Sequence, residues 1–279
     1  MTPRFSLLAL AALAPTAPAA AQPAPSPAAL PAALAFADYA DLVLAAPVIA
    51  VATIRSTTRL KGADAADVPP GRQRLYVEAD VGALIRGQGG LPPRVGYLLD
   101  VAPDARGHLP KLKKTRVLLF ARSAPVAGQL QLVAPDAQSP WSPAADAQVR
   151  GLARAALAAD APPRITDVGK AFHVAGALPG EGETQVFLQT ADNRPVSLSV
   201  LRRPGEQPRW AVALSEIVDD AAAPPAPGTL LWYRLACTLP PQLPARSTAD
   251  LAPADATQAR ADYTYVKGQL GPCGRTRGS

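Results

Sequence analysis

Residues 72–87, RQRLYVEADVGALIRG, set Leu75, Val77, Ala79 and Val81 against Tyr76, Glu78 and Asp80 in alternation. A period of two puts one set on each face of a pleated strand, so this stretch predicts a strand with one buried face and one wet face. Such a strand cannot stand alone, because its backbone N–H and C=O groups need neighbours. Neighbours are at hand. RVGYLLDV at 94–101, TRVLLFAR at 115–122 and GQLQLVAP at 128–135 have strand character, and DLVLAAPVIAVATIR at 41–55 reads as one strand bent at Pro47. A short helical lead, PAALAFADYA, precedes them. Five strands in about 100 residues are expected to close into a small Greek-key barrel of OB type, which removes exposed edges.

The period then changes. In 139–164, Ser142 can cap, Pro143 suits a first helical turn, and Val149, Leu152, Ala153, Ala156 and Leu157 share a helical face that ends before Pro162 and Pro163. Strand character returns in KAFHVAGAL, TQVFLQTA, PVSLSVLRR, RWAVALSEIV and TLLWYRLACTL, with turn residues between them, and at least the middle four read as an antiparallel meander. A last helix is expected from Pro253 to Gly268. The fold class expected is mainly β, or α+β: an OB-like barrel at 36–141, a connecting helix at 142–163, and at 164–279 an antiparallel sheet with one or two helices.

The first residues bear on compartment. Arg4, the apolar FSLLALAALA and the small-residue PAAAQ have the order of a secretory signal peptide, with cleavage expected after Ala21. A Pro/Ala-rich linker at 22–35 follows, and no later window reaches the roughly 20 apolar residues of a membrane-spanning helix. A periplasmic or secreted protein is expected. In an oxidising compartment Cys237 and Cys273, the only two cysteines, are expected to pair and tie the tail LGPCGRTRGS to the preceding TLLWYRLACTL.

The first unit is similar in layout to netrin-like domains, the OB-fold barrels of tissue inhibitors of metalloproteinases: an apolar strand after ADYADLV, a strand ending in ALIRG, then VLLFAR followed by LQLV. The resemblance covers residues 36–136 and implies a barrel used to bind partners. It does not imply metalloproteinase inhibition, since the N-terminal Cys that this activity uses has no counterpart here.

Motifs for enzyme chemistry are absent: no G-x-S-x-G, H-E-x-x-H, P-loop or EF-hand. The glycines of IRGQGGLPPR at 85–94 lead through Pro92 and Pro93 into a strand rather than a helix N-terminus, so they mark a turn and not a phosphate cradle. His108 and His173 are the only histidines, in a loop and on a strand, and Glu78 and Asp80 form the wet face of a strand. No cofactor or metal is expected. The net charge is +6, or +5 once Arg4 leaves with the signal peptide, and 22 Arg with few aromatics make a poor nucleic-acid signature. One basic cluster stands out: HLPKLKKTR brings Lys111, Lys113, Lys114 and Arg116 together before a strand, where clustered charge can attract an envelope protein or an anionic surface or can protect a loop. Trp141, Trp210 and Trp232 are expected to be core or inter-unit anchors. The function expected is that of a non-enzymatic bacterial envelope protein that binds a protein or anionic ligand. Two alternatives stand beside it: an envelope hydrolase built around His108 or His173, and a structural or assembly factor with an exposed apolar patch.

Overall fold

The structure, a computed structural model, describes residues 34–215 and 222–277. The expected signal peptide, all but the end of the linker, and the end of the RWAVALSEIV run lie outside the described residues. Helix α1 (Phe36–Ala45) leads into β1 (Val48–Arg59), β2 (Gln73–Arg86), β3 (Arg94–Val101), β4 (Arg116–Ser123), β5 (Gln129–Leu132) and the short β6 (Gln138–Pro140).

Strand β1 pairs antiparallel with β2 on one side and β4 on the other; β2 pairs with β3, β3 runs parallel to β5, and β5 pairs with β4. The ring β1-β2-β3-β5-β4 therefore closes on itself as a five-stranded barrel of the expected OB-like kind, with β6 added beside β4. Register shifts after Ile49, Val51 and Ile54 let β1 curve far enough to serve both neighbours. Ile49, Val51, Val77, Tyr97, Leu119 and Phe120 are among the fully buried side chains of the barrel core. The unbroken apolar run of β4 has its own cause. Tyr39 of α1 lies on Phe120, with ring centroids 6.4 Å apart, so this strand is covered on both faces.

The 41–55 segment is not one bent strand. Asp41–Ala45 completes α1, and Pro47 precedes the first residue of β1 instead of bending a strand already begun. Helix α2 (Pro143–Leu157) starts as the residues require: Ser142 Oγ accepts from the Ala145 amide at 3.1 Å, and Pro143 occupies the first turn. Val149, Leu152 and Ala153 are buried, but Leu157 is exposed because the helix ends there.

Next, β7 (Ile165–Ala175), β8 (Gly182–Thr190), β9 (Val196–Arg202) and β10 (Arg209–Ala213) form the antiparallel meander in the order β10-β9-β8-β7. The segment TLLWYRLACTL is a helix, α3 (Leu230–Ala236), not a strand. Thr229 Oγ1 accepts from the Trp232 amide at 3.2 Å and starts a helical turn, which β-prone aromatics do not outweigh. Helix α4 (Pro253–Leu270) runs past Gly268 and stops at Gly271, whose φ of 71° ends the ladder.

There are two apolar clusters. One fills the barrel under α1 and α2; the other lies between the meander and α4. Helix α3 belongs to both, with Leu230 and Tyr233 in the first and Leu235 and Ala236 in the second. Trp232 adds a bridge as expected, edge-on to Phe36 at 6.0 Å and donating Nε1–H to the Leu270 carbonyl at 2.9 Å. Trp210 is core to the second cluster. The Cys237–Cys273 disulfide is formed.

Candidate functional site

Because Leu75, Val77 and Ala79 point inward, the alternation of β2 turns Arg74, Tyr76 and Glu78 outward, and β3 likewise presents Gly96, Leu98 and Asp100. Of these, Arg74, Leu98 and Asp100 line a cleft of about 530 Å³ together with Asp67, Arg122 of β4 and Gln129 and Gln131 of β5. Its floor is rigid. Arg74 grips the buried Asp100 with two hydrogen bonds, Nε to Oδ1 at 2.8 Å and Nη2 to Oδ2 at 3.0 Å, and reaches Asp67 through Nη1 at 2.5 Å. Those two carboxylates push the Arg74 guanidinium further into its charged form, and the hydrogen bond from Arg74 holds the Asp67 carboxyl below the usual range. Beside them Gln129 Nε2 donates to Tyr76 Oη at 3.0 Å across Gly96. A Cβ at Gly96 would lie 2.2 Å from Tyr76 Oη, so only glycine leaves this contact in place.

Above that floor two groups are unspent. Leu98 is 45% exposed although it stands on a strand, and the Arg122 guanidinium has no hydrogen-bond or ion-pair partner among the described residues. An apolar anchor beside a free planar donor suits recognition of a carboxylate or another anion next to an apolar group. A second cleft of about 330 Å³ shares Asp100 and is lined by Arg72, Pro110, Leu112, Asp136 and Arg277.

The sequence-derived basic loop adjoins this second cleft. Lys111 lies between Pro110 and Leu112, two of its lining residues. Lys111, Lys113 and Lys114 are exposed and make no side-chain hydrogen bond or ion pair among the described residues. Lys114 sits at φ 68° with its amide donating to the Ile54 carbonyl at 2.7 Å, which pins the Lys113–Lys114 step beside β1. Arg116 is employed otherwise. Its guanidinium stacks 3.8 Å over the Trp141 ring, so three of the four cations remain available.

Neither histidine lines the clefts described here. His108 is an exposed loop residue 3.4 Å from Asp104. His173 Nδ1 is 2.9 Å from Thr184 Oγ1, whose own proton goes to the buried Asp262 at 2.5 Å; Arg202 Nε and Gln258 Nε2 also donate to that carboxylate. The committed hydroxyl must accept from His173, so Nδ1 carries the ring proton. This network fastens α4 to the meander. The hydroxyl beside His173 belongs to Thr184, which is fully buried, as is Asp262. Glu78 accepts from Ser56, and Asp80 faces Arg55 and Arg94, as a wet strand face would. Among the described residues no group of three or more His, Cys, Asp or Glu side chains could hold a metal ion, and no helix is long and apolar enough to cross a membrane.

Sequence reasoning missed Arg122 and the cleft around it. The usable signal was Leu98, an apolar residue at an outward position of a half-wet strand. No family model matches the chain, and no curated protein matches it.

Proposed function

We propose that this chain is an exported binding protein, and that its barrel presents the β2-β3-β5-β4 face to an anionic partner, an acidic segment of an envelope protein. The observation that carries the reading is the open cleft in which Leu98 and the unpartnered Arg122 stand over a fixed Arg74–Asp100 floor. The strand 2–3 face is also where barrels of OB type take ligands, and the netrin-like layout points to partner binding by the same kind of fold. Lys111, Lys113 and Lys114 act at longer range, raising the encounter rate with a negatively charged surface.

The test is a photo-crosslinking residue placed at Leu98 in the exported chain, with Lys170 on β7 as the control position, followed by mass spectrometry of the adducts. An adduct specific to position 98 that disappears in Arg122→Glu supports the reading. Adducts of equal yield at both positions, or adducts indifferent to Arg122→Glu, refute it. Binding to an acidic saccharide without a protein adduct would move the ligand class but not the site.

One observation favours a second reading, in which the meander is an assembly surface. Phe172 and Phe187 meet edge to face at 5.8 Å on its outer side, with Val174 and Leu201 exposed nearby. A crosslinker at Phe187 that captures protein while Leu98 does not would favour it.

A further inference from the structure

The last described residues return to α1. Asp38, on the first turn of α1, is only 1% exposed, yet it accepts from the amides of Thr276 at 3.0 Å and Arg277 at 3.1 Å, and from Thr276 Oγ1 at 2.5 Å. One turn on, Asp41 receives the Arg275 guanidinium through Nε at 2.6 Å and Nη2 at 3.0 Å, and also accepts from the Tyr233 hydroxyl. Arg277 Nη2 also donates to Asp136 at 2.5 Å, a carboxylate shared with Arg72 at 3.3 Å, and Arg275 and Arg277 border a space of about 370 Å³ lined by Asp38, Asp41, Leu42, Val133 and Ala134. Backbone amides are read by one carboxylate and the two flanking arginines by two others. That is the recognition pattern of an extended peptide.

We infer that the Asp38–Asp41–Asp136 face is a peptide-binding slot for an Arg-x-Arg segment, which the chain's own residues 275–277 occupy in cis while the Cys237–Cys273 disulfide is closed. Outside the slot the tail is held by Cys273, which packs on the first apolar cluster, and by Arg275, which lies 5.8 Å over the Tyr233 ring and donates to the Cys237 carbonyl at 3.5 Å; Pro272, Gly274, Arg275 and Thr276 are otherwise exposed. Partly exposed ion pairs such as Arg275–Asp41 contribute little each. The disulfide, immediately before the contact, is what keeps the tail at high effective concentration over the slot. A dithiol reductant would deliver two electrons and two protons, become a cyclic disulfide, and leave Cys237 and Cys273 as thiols. The tail would then exchange with a second Arg-x-Arg peptide, including the tail of another copy.

The experiment uses the full chain and a fluorescent peptide with the sequence of residues 274–279, GRTRGS. Binding is expected to be at least about tenfold tighter after reduction than before, to be lost in Asp38→Asn, and to be accompanied by faster hydrogen exchange at Thr276 and Arg277. Full-length chain with Arg275, Thr276 and Arg277 replaced by Ala, its disulfide intact, should bind the peptide without reduction, which keeps the slot testable if the reduced chain unfolds. Unchanged exchange at those amides in fully reduced, folded protein overturns the disulfide's role. Failure of the alanine-tail variant to bind the peptide overturns the slot.

Discussion

At Asp38 two opposing effects meet on one carboxyl group. Burial alone would raise its pKa, but hydrogen bonds from Thr276, Arg277 and Ala35 outweigh it and hold the group below the usual carboxylate range. A lowered folded-state value means that the folded chain prefers the carboxylate. The resulting stabilisation is fully present above the unfolded value of about 4 and is lost as pH falls through the lowered one. Asp38→Asn should therefore cost about 1–3 kcal/mol near neutral pH, and the difference from wild type should shrink below about pH 4 in denaturant titrations. Arg234 makes the opposite case. Its Nε is buried without a partner among the described residues, burial pushes the guanidinium pKa down, and the nearby Arg164 adds like charge. Arg234→Met should raise stability by about 1 kcal/mol, read as a shift in the denaturation midpoint. Gly96→Ala should lower it by about 1–2 kcal/mol, because the added carbon must displace Tyr76 or Gln129. None of these three environments was legible in the sequence. Asp38 and Arg277 lie 239 positions apart, and neither alternation nor charge counting links such residues.

Among the elements, legibility followed the strength of the local pattern. β2, β3 and β4 were read close to their true bounds, because alternation or an apolar run between turn residues leaves few other choices. Helix α2 was read from its cap and first proline, and Ser142→Ala should cost about 1 kcal/mol by removing the acceptor for the Ala145 amide, as chemical denaturation would show. Helix α3 was misread because Trp and Tyr favour strands, while the deciding signal was one threonine, Thr229, after a glycine at φ 73°. The short β6 was missed, since three residues carry no period. The cleft was half legible. Its outward residues follow from the alternation of β2 and β3, but the approach of β5 parallel to β3 is a long-range pairing that sets Gln129 and Gln131 beside Leu98.

On the scale of the whole molecule, a closed barrel and an open four-stranded sheet are joined through α3, with the disulfide at its C-terminal end. The bridge closes a loop of 36 residues, and its removal in a Cys237→Ser/Cys273→Ser chain should cost about 2–4 kcal/mol of stability, measured by thermal unfolding with and without reductant. Charge is distributed in keeping with the proposed function: Arg74, on the floor of the cleft, is neutralised by Asp100 and Asp67, while Arg122, Lys111, Lys113 and Lys114 face solvent without counter-ions among the described residues. Their roles should separate in binding. The lysines set association rate and salt dependence, and Arg122 sets how long the complex lasts.

The most direct measurement is the affinity of the partner captured through Leu98 for wild-type chain, for Arg122→Glu, and for Lys111→Ala/Lys113→Ala/Lys114→Ala, at low and high salt. A barrel-face site predicts at least about tenfold weaker binding for Arg122→Glu at both salt concentrations and a flatter salt dependence for the lysine variant. Wild-type affinity in Arg122→Glu would contradict the placement of the binding site on the barrel.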